Sequence, residues 1–217
     1  MHGGLIFDLD GTLVDSLPGI AASLNRALDR CGFEGHADAA VRRFIGNGSY
    51  ELARHAAPKG TSPESILAVE AAFKEDYALT WPEGTAPYEG IPQLLAKLSA
   101  AGVRMAVLSN KPHPFTVEIV EHLFPGIPFD PVLGQRPDAP RKPHPDAAIQ
   151  ISDLWGADPS ECIFIGDSTV DLETARGAGM RPLAVAWGYH DVAALEAAGA
   201  GEVAINIEHL AGLFKLF

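Results

Sequence analysis

From about residue 88 onward, this 217-residue chain alternates short, wholly apolar runs with amphipathic helical stretches. The runs are "VRMAVLS", "CIFIGDS", "RPLAVAWG" and "EVAINI", and a shorter strand is expected at 131–133. Between them, "GIPQLLAKLSAAG", "HPFTVEIVEHLF", "HPDAAIQISDLWG", "TVDLETARGAG" and "DVAALEAAG" read as helices. A strand without a polar face must be buried on both sides, which is the situation of a parallel sheet covered by helices. The opening "GLIF" has the same character and nothing of its own to pair with, so it is expected to join that sheet.

The segment 16–82 breaks this rhythm and reads as helices alone. In "SLPGIAASLNRALDRCG", Ser16 is placed as a cap, Pro18 lies early, Ile20, Leu24 and Leu28 repeat at helical spacing, and Gly32 ends the helix. "SPESILAVEAAFKEDYALTW" follows the same grammar, with Ser62 as N-cap and Pro63 at the first helical position. Two short helices are expected at 38–44 and 49–56, around "IGNG". The predicted fold is therefore α/β, a Rossmann-like parallel sheet covered on both faces, with an all-helical domain inserted after the first strand. The boundaries fall at 1–15 and 83–217 for the sheet domain and 16–82 for the helical one. The proline-rich "RPDAPRKPHP" is expected to be a rigid loop.

Charge and composition narrow the partners. Twenty-eight acidic against 16 basic residues leave a net charge of -12, which argues against a nucleic-acid-binding surface. No run approaches the roughly 20 apolar residues needed to span a bilayer, and no secretory leader is visible. Cys31 and Cys162 match neither a disulfide framework nor a metal set, so a reducing cytoplasm is expected. A small phosphorylated substrate stays compatible with the acidic balance, because a cation reverses the sign locally. Monomer and homodimer both remain open.

Ligands of open parallel sheets bind beyond the carboxyl ends of the strands. There the first strand delivers "DLDGT", with Asp8, Asp10 and Thr12, and "VRMAVLS" leads into "SNK", with Ser109, Asn110 and Lys111. "CIFIGDS" leads into Asp167 and Asp171, and Lys142 precedes the helix that returns to that strand. These types suit phosphoryl transfer. A carboxylate can attack phosphorus and divide one hard displacement into two. It can approach a phosphate dianion only if charge is screened, which Mg2+ on oxygen ligands, a lysine and a hydroxyl would do. A second carboxyl can then alternate as acid and base.

The four motifs "DLDGT", "LSN", "RKPHP" and "GDSTVD", in this order and in these strand contexts, resemble the haloacid dehalogenase superfamily over nearly the whole chain. The resemblance implies that Asp8 is the nucleophile and a Mg2+ ligand. It makes Asp10 the general acid/base, with its backbone carbonyl on the metal, and Asp167 a further ligand. It assigns Ser109 and Lys142 to the phosphoryl group, with Thr12 and Asn110 beside them, and Asp171 to support. Thr12 is typical of the family's phosphatases, where related sugar phosphomutases often carry Val or Ile. The helical insertion corresponds to a C1 cap, and "FIGNGSYELARHA" resembles the specificity loop of phosphoglycolate phosphatases, with Gly46, Asn47 and Gly48 as its candidate residues. The third motif departs from the usual pattern at His144.

A Mg2+-dependent phosphatase acting on a small phosphorylated metabolite is thus the leading expectation. A sugar phosphomutase and a receiver-type phosphoacceptor are the alternatives; the inserted domain and the paired aspartates weigh against the second. Among the remaining residues, Lys111 reads as part of a solvated loop, Trp81, Trp155 and Trp187 as packing, and His55, His113 and His144 as loop or surface residues. Arg42, Arg43 and Arg54 read as surface charges.

Overall fold

The computed structural model describes residues 3–214. The strands are β1 (Leu5–Phe7), β2 (Val14–Asp15), β3 (Ala86–Pro87), β4 (Met105–Pro112), β5 (Phe129–Gln135), β6 (Ile163–Gly166), β7 (Arg181–Val185) and β8 (Val203–Ala204). Six of them form one sheet in the order β5-β4-β1-β6-β7-β8, while β2 and β3 pair separately. Every pairing in the large sheet is parallel. "GLIF" does join it, and centrally: Leu5 lies opposite both Met105 and Ile163.

The chain forms two compact units, one running to Val14 and resuming at Pro87, the other Asp15–Ala86. The helical unit extends past the expected boundary at 82/83, to Ala86. The turn Trp81–Gly84 stays with the helical unit because Trp81 is buried and Tyr77 hydrogen-bonds Thr85 across it. In that unit α1 (Leu17–Arg30) packs on α4 (Pro63–Thr80), with α2 (Asp38–Val41) and α3 (Ser49–Ala56) between them in sequence. α1 buries Ile20, Leu24, Ala27 and Leu28, one helical stripe. Ser62 caps α4 through Ser65 N as expected. Ser16 takes the N-cap position of α1 but makes no side-chain capping bond; Asp15 Oδ1 accepts from Leu17 N.

The sheet unit adds α5 (Ile91–Ala100), α6 (His113–Leu123), α7 (Asp146–Trp155), α8 (Thr169–Gly177), α9 (Val192–Ala197) and α10 (Ile207–Leu213). Side chains alternate between the faces of a strand, so the register partners Ile6, Ala106 and Phe164 share one face. They are buried in a single cluster with Ala148 and Ile151 of α7 and Ala175 of α8. On the neighbouring positions, Phe7 meets Phe129 edge-on at 6.5 Å, and Phe129 meets Phe124. Each such large side chain contributes about 1.5–3 kcal/mol on burial, which explains why β1 can be three residues long and still lie at the centre. Two expectations shift. "EVAINI" is strand only over β8, because Asn206 caps α10 through His209 N. β4 runs on through "SNK" to Pro112, so those residues belong to a strand rather than a loop. Among the described residues no helix is long and apolar enough to cross a membrane.

Candidate active site

The central strand ends just before Asp8, and the chain then turns tightly: Thr12, Leu13 and Val14 all donate backbone N–H groups to Leu9 O. Gly11 sits in this turn at φ 83, a region that favours glycine, and a Cβ there would stand 2.4 Å from Asp167 Oδ2. The turn thus lies against Asp167 at the end of β6, beside Asp8. Asp8, Asp167 and Asp171 are all buried and each offers an oxygen within 4.8 Å of the others.

Lys142 supplies the cation. Its Nζ lies 3.0 Å from Asp8 Oδ1 and 2.7 Å from Asp171 Oδ1, over the ring of Phe164. Asp171 is itself held by the start of α8, where Ser168 N and Ser168 Oγ donate to Oδ2 in a reciprocal capping box. Asp167 is approached differently. Thr12 Oγ1 donates to Oδ1 at 3.1 Å and Tyr189 N to Oδ2 at 2.7 Å, both neutral donors. Leu9 N donates to Asp8 Oδ1 at 2.7 Å.

Three carboxylates face one ammonium in this cluster. Two like charges at that separation repel by roughly 3 kcal/mol at an effective dielectric of about 20. The titration follows. Burial pushes the Asp8 carboxyl up to about 7 against the pull of Lys142, with Asp171 adding to the rise. Burial, then the charges of Asp171 and Asp8, push Asp167 up to about 8. Burial also opposes the charged form of Lys142, but Asp171 and Asp8 outweigh it and hold the ammonium above the ordinary lysine range. The site is short of positive charge and rich in hard oxygen donors, which fits a divalent cation such as Mg2+. Among the described residues no histidine takes part in the cluster: His113 Nδ1 accepts from Gly134 N, and His144 lies beside Asp146.

Several expected residues sit elsewhere in the network than the sequence suggests. Asp10 is outside the carboxylate cluster; both its oxygens lie 3.1 Å from Lys111 Nζ. Lys111 is accordingly buried rather than part of a solvated loop. Thr12 directs its hydroxyl hydrogen to Asp167 Oδ1. Asn110 is engaged with the Lys142 backbone, its Nδ2 donating to Lys142 O and its Oδ1 accepting from Lys142 N. Ser109 is buried beside them, its Oγ accepting from Lys111 N. Gly46, Asn47 and Gly48 form the turn before α3 in the helical unit, with positive φ at both glycines. Arg54 there is bound to Glu51.

The loop after β7, which sequence motifs do not single out, also reaches Asp167 and Thr12. Tyr189 N holds Asp167, and Trp187 Nε1 donates to Thr12 O at 3.1 Å, so this tryptophan does more than pack. Gly188 lies so close to Asp167 that a Cβ would be 2.2 Å from its Cβ. The position of "AWGYH" at the carboxyl end of a sheet strand was the available signal.

The chain is similar to known proteins over most of its length. The model of the family described as haloacid dehalogenase-like hydrolase matches residues 5–185. The phosphoglycolate phosphatase of Pectobacterium atrosepticum is 34% identical over 196 residues, covering 89% of this chain and 84% of that one. The phosphoglycolate phosphatase of Escherichia coli K12 is 30% identical over 207 residues, covering 86% and 82%. Among solved structures, a predicted phosphoglycolate phosphatase from Haemophilus somnus superposes with a TM-score of 0.89 at 27% identity, over 100% of this chain and 98% of that one.

Proposed function

This chain belongs to the haloacid dehalogenase-like hydrolase family, and on that footing we propose that it is a Mg2+-dependent phosphatase of a small phosphorylated metabolite. 2-Phosphoglycolate is the favoured substrate, since it is what the named relatives' activity points to. One observation carries the reading: three buried carboxylates share a small space with one buried lysine at the carboxyl edge of a parallel sheet.

Asp8, Asp167 and the backbone carbonyl of Asp10 are the groups assigned to the cation. Asp171 stands behind them, its two oxygens already on Lys142 and Ser168. Mg2+ bound there would screen the negative charge of an approaching phosphate. The chain's own groups do the rest. Lys142 and the Ser109 hydroxyl hold phosphoryl oxygens. A carboxylate oxygen of Asp8 forms a bond to phosphorus as the bond from phosphorus to the ester oxygen breaks, and the Asp10 carboxyl gives its proton to the departing alkoxide. Asp10, now a carboxylate, takes a proton from a water that attacks phosphorus. The bond to Asp8 breaks, inorganic phosphate leaves and both aspartates are restored. Thr12 and Asn110 act as positioning residues for Asp167 and Lys142. Gly46, Asn47 and Gly48 are assigned to recognition of the rest of the substrate. Both cysteines are free thiols, and the reaction is placed in a reducing cytoplasm.

The test is phosphate release from a panel of phosphoglycolate, sugar phosphates, nucleotides and pyrophosphate in the presence of Mg2+, with Asp8→Asn measured alongside. Turnover of phosphoglycolate by the native chain and none by the folded variant is the expected result. A panel without turnover, or substantial activity in Asp8→Asn, removes the assignment.

A further inference from the structure

We propose that Lys111 is the positioning residue for the Asp10 carboxylate, a role that rests on the acid/base reading of Asp10. Lysine is among the side chains least often buried without a partner, because desolvating its ammonium is costly. Here the Lys111 side chain is 5% exposed and that of Asp10 12%, and Nζ stands 3.1 Å from each carboxylate oxygen. Contact with both oxygens fixes the rotation of the carboxylate as well as its distance.

The lysine is a rigid base for this grip. Lys111 N donates to Ser109 Oγ at 3.2 Å, and Lys111 O accepts from Thr116 Oγ1 at 3.1 Å. Gly134 of β5 approaches the same carbonyl so closely that a Cβ would stand 2.7 Å from it. Two residues that are neighbours in "DLDGT" are thereby drawn to different cations. Asp8 lies with Lys142 inside the carboxylate cluster, and Asp10 lies with Lys111 beside it. That separation is what allows one carboxylate to attack and the other to move protons without competing for one place.

The experiment compares kcat/KM for phenyl phosphate and 4-nitrophenyl phosphate, two esters of similar shape. Phenoxide needs a proton on departure, whereas 4-nitrophenoxide leaves as a stable anion, and the ratio of the two is independent of how much protein is folded. Misplacing a general acid forfeits part of its usual effect, so Lys111→Met should lower phenyl phosphate turnover by about 10-fold or more and spare the nitrophenyl ester. Lys111→Arg should recover most of the loss. Asp10→Asn should move the ratio further in the same direction, and adding Lys111→Met to it should change nothing more. An unchanged ratio in Lys111→Met, or independent losses in the double variant, overturns the proposal for Lys111. An unchanged ratio in Asp10→Asn overturns the acid/base reading itself, and the proposal falls with it.

Discussion

Asn110 holds Lys142 by its backbone, with Nδ2 donating to Lys142 O at 3.0 Å and Oδ1 accepting from Lys142 N at 2.9 Å. The two residues lie 32 apart in sequence, and the reciprocal pair ties the end of β4 to the proline-rich loop. Asn110→Ala removes both bonds and leaves two backbone groups in a buried place. A stability loss of about 1–3 kcal/mol is expected. Because Lys142 then loses its fixed position against Asp8, kcat should fall more than stability explains, on the order of 100-fold. Asn110→Asp keeps one acceptor but loses the donor and should be no better than intermediate. Steady-state kinetics beside thermal melts would check this; native kcat in Asn110→Ala would refute it.

The raised carboxyls make a statement about pH. Asp8 and Asp167 titrate near 3.8 in the unfolded chain but at about 7 and about 8 in the folded, metal-free protein. The folded state therefore keeps protons that the unfolded state has released, and stability falls as pH rises through that window. A divalent cation needs the deprotonated carboxylates, so its stabilising effect grows over the same range. Melting temperatures in EDTA and in excess Mg2+ from pH 5.5 to 8.5 should diverge with rising pH. A Mg2+ increment that stays constant or shrinks would contradict the assignment.

Gly188 tests the loop after β7. Any Cβ at this position meets Asp167 Cβ at 2.2 Å and Gly11 O at 2.4 Å, so Gly188→Ala must displace the carboxylate or the loop. The expected outcome is a Mg2+ requirement raised by about 10-fold or more, as for other residues that orient a metal ligand. Titration of activity against Mg2+ would read it, and an unchanged Mg2+ midpoint would show that the loop does not govern Asp167.

In the helical unit, Arg26 grips Asp76 through Nε and Nη2 and holds its carboxyl below the usual carboxylate range. Its contribution is present above the unfolded carboxylate value and is lost as pH falls through the lower folded one. The pair is partly exposed, so Arg26→Ala should cost under about 1 kcal/mol at neutral pH. The difference from the native chain should narrow in acid. Denaturant melts at pH 7 and pH 3 would show it, and a gap that widens in acid would count against the pair.

Sequence alone determined the chemistry's ingredients and the sheet that carries them. Unbroken apolar runs such as "CIFIGDS" can be buried on both faces only in a parallel sheet under helices. That topology sends "DLDGT", "SNK" and "GDSTVD" to one edge. Local signals also sufficed where the contact is local, as at Ser62 on α4. They failed where neighbours compete, as when Asp15 rather than Ser16 took the first amide of α1. Only the tertiary structure decided which charge meets which. The pairs Asp10–Lys111 and Asp8–Lys142 span 101 and 134 residues, and nothing in spacing along the chain distinguishes them from the crossed arrangement. The same holds for Thr12 and Asn110, polar residues that look free to meet a ligand until folding buries them against Asp167 and Lys142. Burial makes an unpaired polar group costly, so the partner is chosen by what lies within reach after the sheet has formed.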